Sequence, residues 1–150
     1  MLTYLRPLID RVERLGSGKP MPLLGYSRGG VLAREIARER PDLVSGVITV
    51  GSPVRGGPQA TQIGAFVARQ TGISLDVMRQ LQRERARVTI RVPVCSLYSK
   101  TDGIVAWRAC IDDTTPGAEH VEVQGSHAGL MFNTGVYEHV AKSLSKLSQP

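Results

Sequence analysis

The chain has 150 residues, 41% of them hydrophobic and 21% charged, with a formal net charge of +6 and a sequence pI of about 9.8. A chain of this length favours one domain and can bury roughly 68–70% of its unfolded surface without staples. Two cysteines are too few for a disulfide scaffold, and no apolar stretch reaches the ~20 residues of a membrane span. A basic balance suits nucleic acid or an anionic surface. Here, however, the arginines of 34–40 and 79–91 alternate with glutamates, the pattern of solvated helix faces. Only 5% of residues are aromatic, and no helix-turn-helix, RNP or Cys/His finger pattern occurs, so no nucleic-acid partner is expected. The first sixteen residues lack the charged start, apolar core and cleavage site of a signal peptide. The expectation is a cytoplasmic protein, or one whose leader lies outside this sequence.

Leu2, Leu5, Leu8, Ile9, Val12 and Leu15 recur at three- and four-residue steps and predict an amphipathic helix stopped by Gly16-Ser17-Gly18. Pro7 predicts a start or a kink near it. Met21–Gly25 is short, apolar and uncharged, a buried strand. The following segment, with Val31, Leu32, Ile36 and Ala37 on one face, is a helix closed by Pro41. Leu43–Gly51, rich in β-branched residues, is the second strand. Residues 60–85 read as helical, and Val88–Ser99 as the third strand with Pro93 near its start. His120–Gln124 is the fourth strand, and Val136, Val140, Leu144 and Leu147 mark a closing helix. Strands alternating with helices imply βαβ units, hence an α/β protein with a parallel sheet of about four strands flanked by helices.

Gly25-Tyr26-Ser27-Arg28-Gly29 is a G-x-S-x-G pattern between a strand and a helix, the setting of a serine raised on a tight strand-to-helix turn. In this reading Gly25 and Gly29 keep side chains out of the turn, and the helix N-terminus favours developing negative charge. Gly16-Ser17-Gly18-Lys19 fails as a phosphate loop because Glu13 replaces the first glycine and Pro20 the Ser/Thr. A serine nucleophile needs a base and an orienting acid. Of three histidines, His139 lies within the last helix and His120 opens a strand, whereas His127 follows the fourth strand directly. Asp102 follows the third strand. The Asp102-Gly103 pair also reads as a simple turn, and Asp112 and Asp113 lie further on. The order Ser27, Asp102, His127 places three chemical groups after three strands, where ligands bind in open α/β sheets.

The segments LLGYSRGG, VITVGSPVRG, YSKTDGIVAWRAC and GSHAGL resemble the lipase and esterase branch of the α/β-hydrolase family, over about Met21 to Asn133. The resemblance implies Ser27 as nucleophile, His127 as general base and acid, Asp102 as its orienting carboxylate and the Arg28 N–H as one oxyanion donor. It implies one minimal domain over 1–150, similar to the C-terminal half of that fold, with a cap or lid at about residues 56–87. An acyl pocket near Val54, Ile104 and Leu130 is expected, acting on a small-molecule or lipid ester with no metal or organic cofactor. Thioesters and polyesters suit the same chemistry, and the alternative is a weakly active or non-catalytic hydrolase-like binding module. The free edge of the Met21–Gly25 strand predicts a homo-oligomer. Cys95 and Cys110 are either two buried thiols or a bridge clamping the Asp102 loop, and the resemblance favours the bridge.

Overall fold

The computed structural model describes residues 2–55, 76, 80, 83–85 and 87–147. Four strands, β1 (Met21–Tyr26), β2 (Val44–Val50), β3 (Val94–Tyr98) and β4 (Glu119–Glu122), form one sheet in sequential order. All three pairings are parallel, so the expected α/β architecture with a four-stranded sheet is the one observed. Helices α1 (Leu2–Gly16), α2 (Arg28–Glu39) and α3 (Thr134–Leu147) flank it. No helix among the described residues is long and apolar enough to cross a membrane.

Side-chain alternation along the strands divides the core. Val47 and Val94 pack with Leu5 and Ile9 of α1 and with Ala33, Ile36 and Ala37 of α2. Their strand neighbours Ile48 and Cys95 point the other way, joining Val136 and Val140 of α3. A parallel sheet buries both faces, so its inner strands carry continuous apolar runs. β2 is such a strand, with Val47 and Ile48 both at 0% exposure.

Several element boundaries differ from the sequence reading. α1 runs through Pro7, which lies in its second turn and removes one backbone hydrogen bond without ending the helix. Leu15, read as part of the buried stripe, is 61% exposed. The third strand is shorter than Val88–Ser99. Pro93 has no N–H to donate; its carbonyl accepts from Val47 N at 2.9 Å, and the ladder begins at Val94. The proposed cap at 56–87 lies almost wholly outside the described residues, as does most of the 60–85 helix.

The bridge between Cys95 and Cys110 is not formed; both thiols are free and buried. The reason is strand periodicity. Ser96, not Cys95, points at the segment carrying Cys110, its hydroxyl donating to the Cys110 carbonyl at 2.7 Å. Cys95 therefore faces α3, while Cys110 packs with Val105 and Ala109 in a separate cluster. Burial raises both thiols above their ordinary range, Cys110 to about 12.

The charged stretch on α2 is not a solvated face. Arg34 and Glu35 are 2% and 4% exposed. Arg34 Nη1 pairs with Asp112 at 2.5 Å, and Glu35 is held by both Arg38 and Arg85. Asp113 pairs with Arg55 at 2.7 Å. Asp112 and Asp113 are thus each paired with an arginine, whereas Asp102 makes no pair with Arg or Lys among the described residues.

Candidate active site

In a parallel sheet all strands end on the same side, and the loops after them meet there. Ser27 follows β1, Gly51 follows β2, Asp102 follows β3 and His127 follows β4. The three residues singled out in the sequence come together. His127 Nε2 lies 3.0 Å from Ser27 Oγ, and His127 Nδ1 lies 2.7 Å from Asp102 Oδ2. Because an ionised carboxylate only accepts, the ring proton sits on Nδ1, leaving Nε2 to accept the serine hydroxyl.

Ser27 is the N-cap of α2 with φ 52° and ψ −122°, a conformation outside the ordinary regions for a residue with a Cβ. Such backbone costs of order 1–3 kcal/mol and persists only where its surroundings impose it. Here its N–H donates to the Val50 carbonyl at 2.8 Å, and its own carbonyl accepts from Gly30 N at 3.2 Å. The turn stands Ser27 Oγ toward the histidine. It also places Arg28 N–H at the first position of α2, where no intrahelical partner exists and the helix dipole favours an anion.

The glycines that permit this turn are Gly25 and Gly30. A Cβ on Gly25 would fall within the backbone of Gly29 and Gly30, and one on Gly30 would strike Ser52. A Cβ on Gly29 meets nothing within 4 Å, so the motif's second glycine is not the one that packing requires. Gly25→Ala and Gly30→Ala are therefore expected to destabilise the fold by about 1–3 kcal/mol or more. Gly29→Ala, in the first turn of a helix, should be neutral or stabilising by up to ~1 kcal/mol. Urea unfolding of the three variants checks this ordering.

Asp102 is 4% exposed, and its carboxylate is fully engaged. Oδ1 accepts from Ile104 N at 2.9 Å and Val105 N at 2.7 Å, which closes the Asp-Gly turn, while Oδ2 takes the histidine. One carboxylate thus both closes the Asp-Gly turn and faces the histidine ring. A second clamp joins the loops through the main chain, where His127 N donates to the Asp102 carbonyl at 2.8 Å. Gly51, at φ 54°, leaves room for the pair: a Cβ there would sit 3.2 Å from Asp102 Oδ2 and 3.4 Å from His127 Cε1.

Sequence reasoning missed Gly51 and Tyr26. The Tyr26 hydroxyl donates to the His127 carbonyl at 3.0 Å, and its ring centroid lies 4.8 Å from that of the imidazole. The placement of Tyr26 inside G-x-S-x-G was the available signal. The other histidines stand apart from the serine: His120 Nε2 accepts from Asp112 N at 2.8 Å, and His139 lies within α3. Of the side chains expected around an acyl chain, Leu130 is 0% exposed and offers no surface, because it belongs to the core cluster with Ile48, Val50 and Leu97. Val54 and Ile104 remain half-buried. A groove of about 240 Å³ lined by Val47, Val94, Cys95 and Leu147 opens at the opposite ends of the strands, away from Ser27. Among the described residues no cluster of His, Cys, Asp and Glu could hold a metal ion.

No family model matches the sequence. The fold, however, is the α/β-hydrolase fold, shared with solved structures over nearly the whole chain. The chain is similar to a monoacylglycerol lipase from Paleococcus ferrophilus, with TM-score 0.74 at 15% identity over 97% of this chain and 75% of that one. It is similar to an alpha/beta superfamily hydrolase from Oenococcus oeni, with TM-score 0.71 at 16% identity over 97% and 73% of the two chains. A Bacillus licheniformis lipase gives TM-score 0.71 at 15% identity over 91% and 71%. At these identities the likeness is one of fold.

Proposed function

We propose that this protein is a serine hydrolase that cleaves carboxylic esters through an acyl-enzyme on Ser27. The observation that carries this reading is the unbroken relay from Ser27 Oγ to His127 to Asp102, at 3.0 and 2.7 Å, on a serine held in a strained turn. His127 Nε2 takes the hydroxyl proton as Ser27 Oγ forms a bond to the ester carbonyl carbon. The negative charge moves to the carbonyl oxygen, in front of the Arg28 N–H. Collapse breaks the bond to the alcohol, which leaves with the proton from His127. Water then repeats the sequence on the acyl-enzyme, restoring Ser27 and releasing the acid. Asp102 stays ionised and holds the imidazole in the Nδ1–H tautomer. A single oxyanion donor is worth about 2.7–4 kcal/mol of transition-state stabilisation, so the Arg28 N–H is a large part of the expected rate. Thioesters and polyesters fit the same steps. The similarity to two proteins described as lipases supports an ester over an amide.

A non-catalytic binding module is the less favoured reading, since nothing in binding alone requires a serine at φ 52° aimed at a buried His–Asp pair. Hydrolysis of p-nitrophenyl butyrate by the wild type and by Ser27→Ala separates the two; equal rates would remove the hydrolase reading.

The edge of β1 supports self-association as a further part of this reading. β1 pairs only with β2 among the described residues, it carries no charged side chain, and Leu24 is 55% exposed. An uncovered apolar edge strand is a template for pairing, most simply in a two-fold dimer. Light scattering should give about twice the 16.3 kDa chain mass; a monomer over a wide concentration range would contradict this.

A further inference from the structure

We infer that Tyr26 is a positioning residue for His127, with its hydroxyl fixing the histidine's main chain and its ring favouring the imidazolium that forms during acylation. The inference rests on the serine-hydrolase reading and adds a second layer to it. Tyr26 is the last residue of β1 and immediately precedes Ser27, while His127 is 101 residues further along the chain. One residue therefore ties the strand that carries the serine to the loop that carries the base.

The hydroxyl donates to the His127 carbonyl at 3.0 Å. Burial first, and then the charge of Asp102, raise the phenol above its ordinary range, so it remains a protonated donor. The loop is thereby fixed at three points: this bond, the His127 N–H on the Asp102 carbonyl, and the Nδ1 contact with the Asp102 carboxylate. The rings lie 4.8 Å apart between centroids at an interplanar angle of 32°, a tilted contact that keeps the imidazole close to the phenol ring. An aromatic face attracts a cation within about 6 Å of its centroid. The imidazole is neutral before Ser27 gives up its proton and cationic afterwards, so this attraction strengthens as the reaction proceeds. An interaction stronger in the transition state than in the ground state accelerates the step. The imidazole meets the Asp102 carboxylate at Nδ1, the Ser27 hydroxyl at Nε2 and the Tyr26 ring; Gly51 at the end of β2 contributes no charge.

The two roles separate by substitution. Tyr26→Phe keeps the ring and loses the hydroxyl; Tyr26→Leu loses both, and Tyr26→Met serves as a second ring-free variant should the leucine protein fail to fold. Two readouts are used: the titration midpoint of the His127 ring protons by NMR, assigned against His127→Gln, and the pH profile of kcat/KM. The ring-free variants are expected to shift both midpoints to lower pH by about half a unit to one unit, because the imidazolium has lost a stabilising neighbour. Tyr26→Phe is expected to leave both midpoints in place while lowering kcat by roughly three- to tenfold with KM unchanged. Midpoints equal to wild type in the ring-free variants would overturn the role of the ring, and an unchanged kcat in Tyr26→Phe would overturn that of the hydroxyl. The NMR titration uses no substrate. If Ser27→Ala retained full activity, the hydrolase reading would fall while the coupling of Tyr26 to His127 was still measured on its own.

Discussion

Ser27→Ala should lower kcat for p-nitrophenyl butyrate by about 10⁴-fold or more, with little change in stability. The magnitude follows from the unit nature of a serine relay, in which removing the nucleophile leaves only binding and oxyanion stabilisation. His127 and Asp102 would still pair at 2.7 Å, and the Arg28 N–H would still face the carbonyl oxygen, so the residual rate measures what those groups do without covalent chemistry. Stability should change by only about 1 kcal/mol, the net value of one hydrogen bond, because alanine also carries a Cβ and inherits the same backbone at φ 52°. Unchanged KM with collapsed kcat would show that the site still assembles around substrate.

The largest expected loss of stability lies away from the serine, in Asp112→Ala. Arg34 and Asp112 side chains are 3% and 1% exposed, paired at 2.5 Å. Burial on its own pushes the Asp112 carboxyl up, but hydrogen bonds from Arg34, Thr115 and Thr114 outweigh it and hold the group well below the carboxylate range. Removing one partner of a buried pair leaves an uncompensated charge and costs about 3–5 kcal/mol. Against a typical total of about 5–15 kcal/mol, that is a large share, and it should lower Tm by roughly 6–20 °C for a domain of this size. Arg34→Met with Asp112→Leu should recover most of the loss, since a packed apolar pair is often neutral or better. The sign of the pH dependence is determined by the depressed carboxyl. Its contribution is complete above the unfolded-state value near 4 and declines as pH falls below it. The wild type should therefore lose stability below about pH 4 more steeply than the double variant. Thermal unfolding between neutral and acid pH checks both statements.

How much was legible in the sequence depended on whether a residue's role was local. The β-branched run at Leu43–Gly51 and the spacing of Val136, Val140 and Leu144 identified β2 and α3, because periodicity is written along the chain. Ser27, Asp102 and His127 could be proposed together because each follows a strand, and parallel strands end on one side of the sheet. Roles that depend on distant partners were not legible. Arg34 looks like any helical arginine until Asp112, 78 residues on, is placed against it. The importance of Gly30 over Gly29 depends on Ser52, which reaches the turn from the loop after β2. The shorter third strand follows from Pro93, which has no N–H for the ladder, so pairing begins only at Val94. The free state of Cys95 was open to the same alternation that faces Ser96 toward Cys110. The bridge was favoured only by the resemblance, whereas strand alternation turns Cys95 toward α3 and away from Cys110.

The central claim is that Ser27 becomes covalently acylated. A p-nitrophenyl alkylphosphonate tests it most directly, since attack by the serine releases p-nitrophenol and leaves a stable phosphonyl ester. Peptide mapping by mass spectrometry after such treatment should find one phosphonyl group on Ser27, released p-nitrophenol equal to the protein present, and no labelling in Ser27→Ala or after denaturation. Labelling at another residue, or none at Ser27 in a folded protein that still hydrolyses p-nitrophenyl butyrate, would contradict the account.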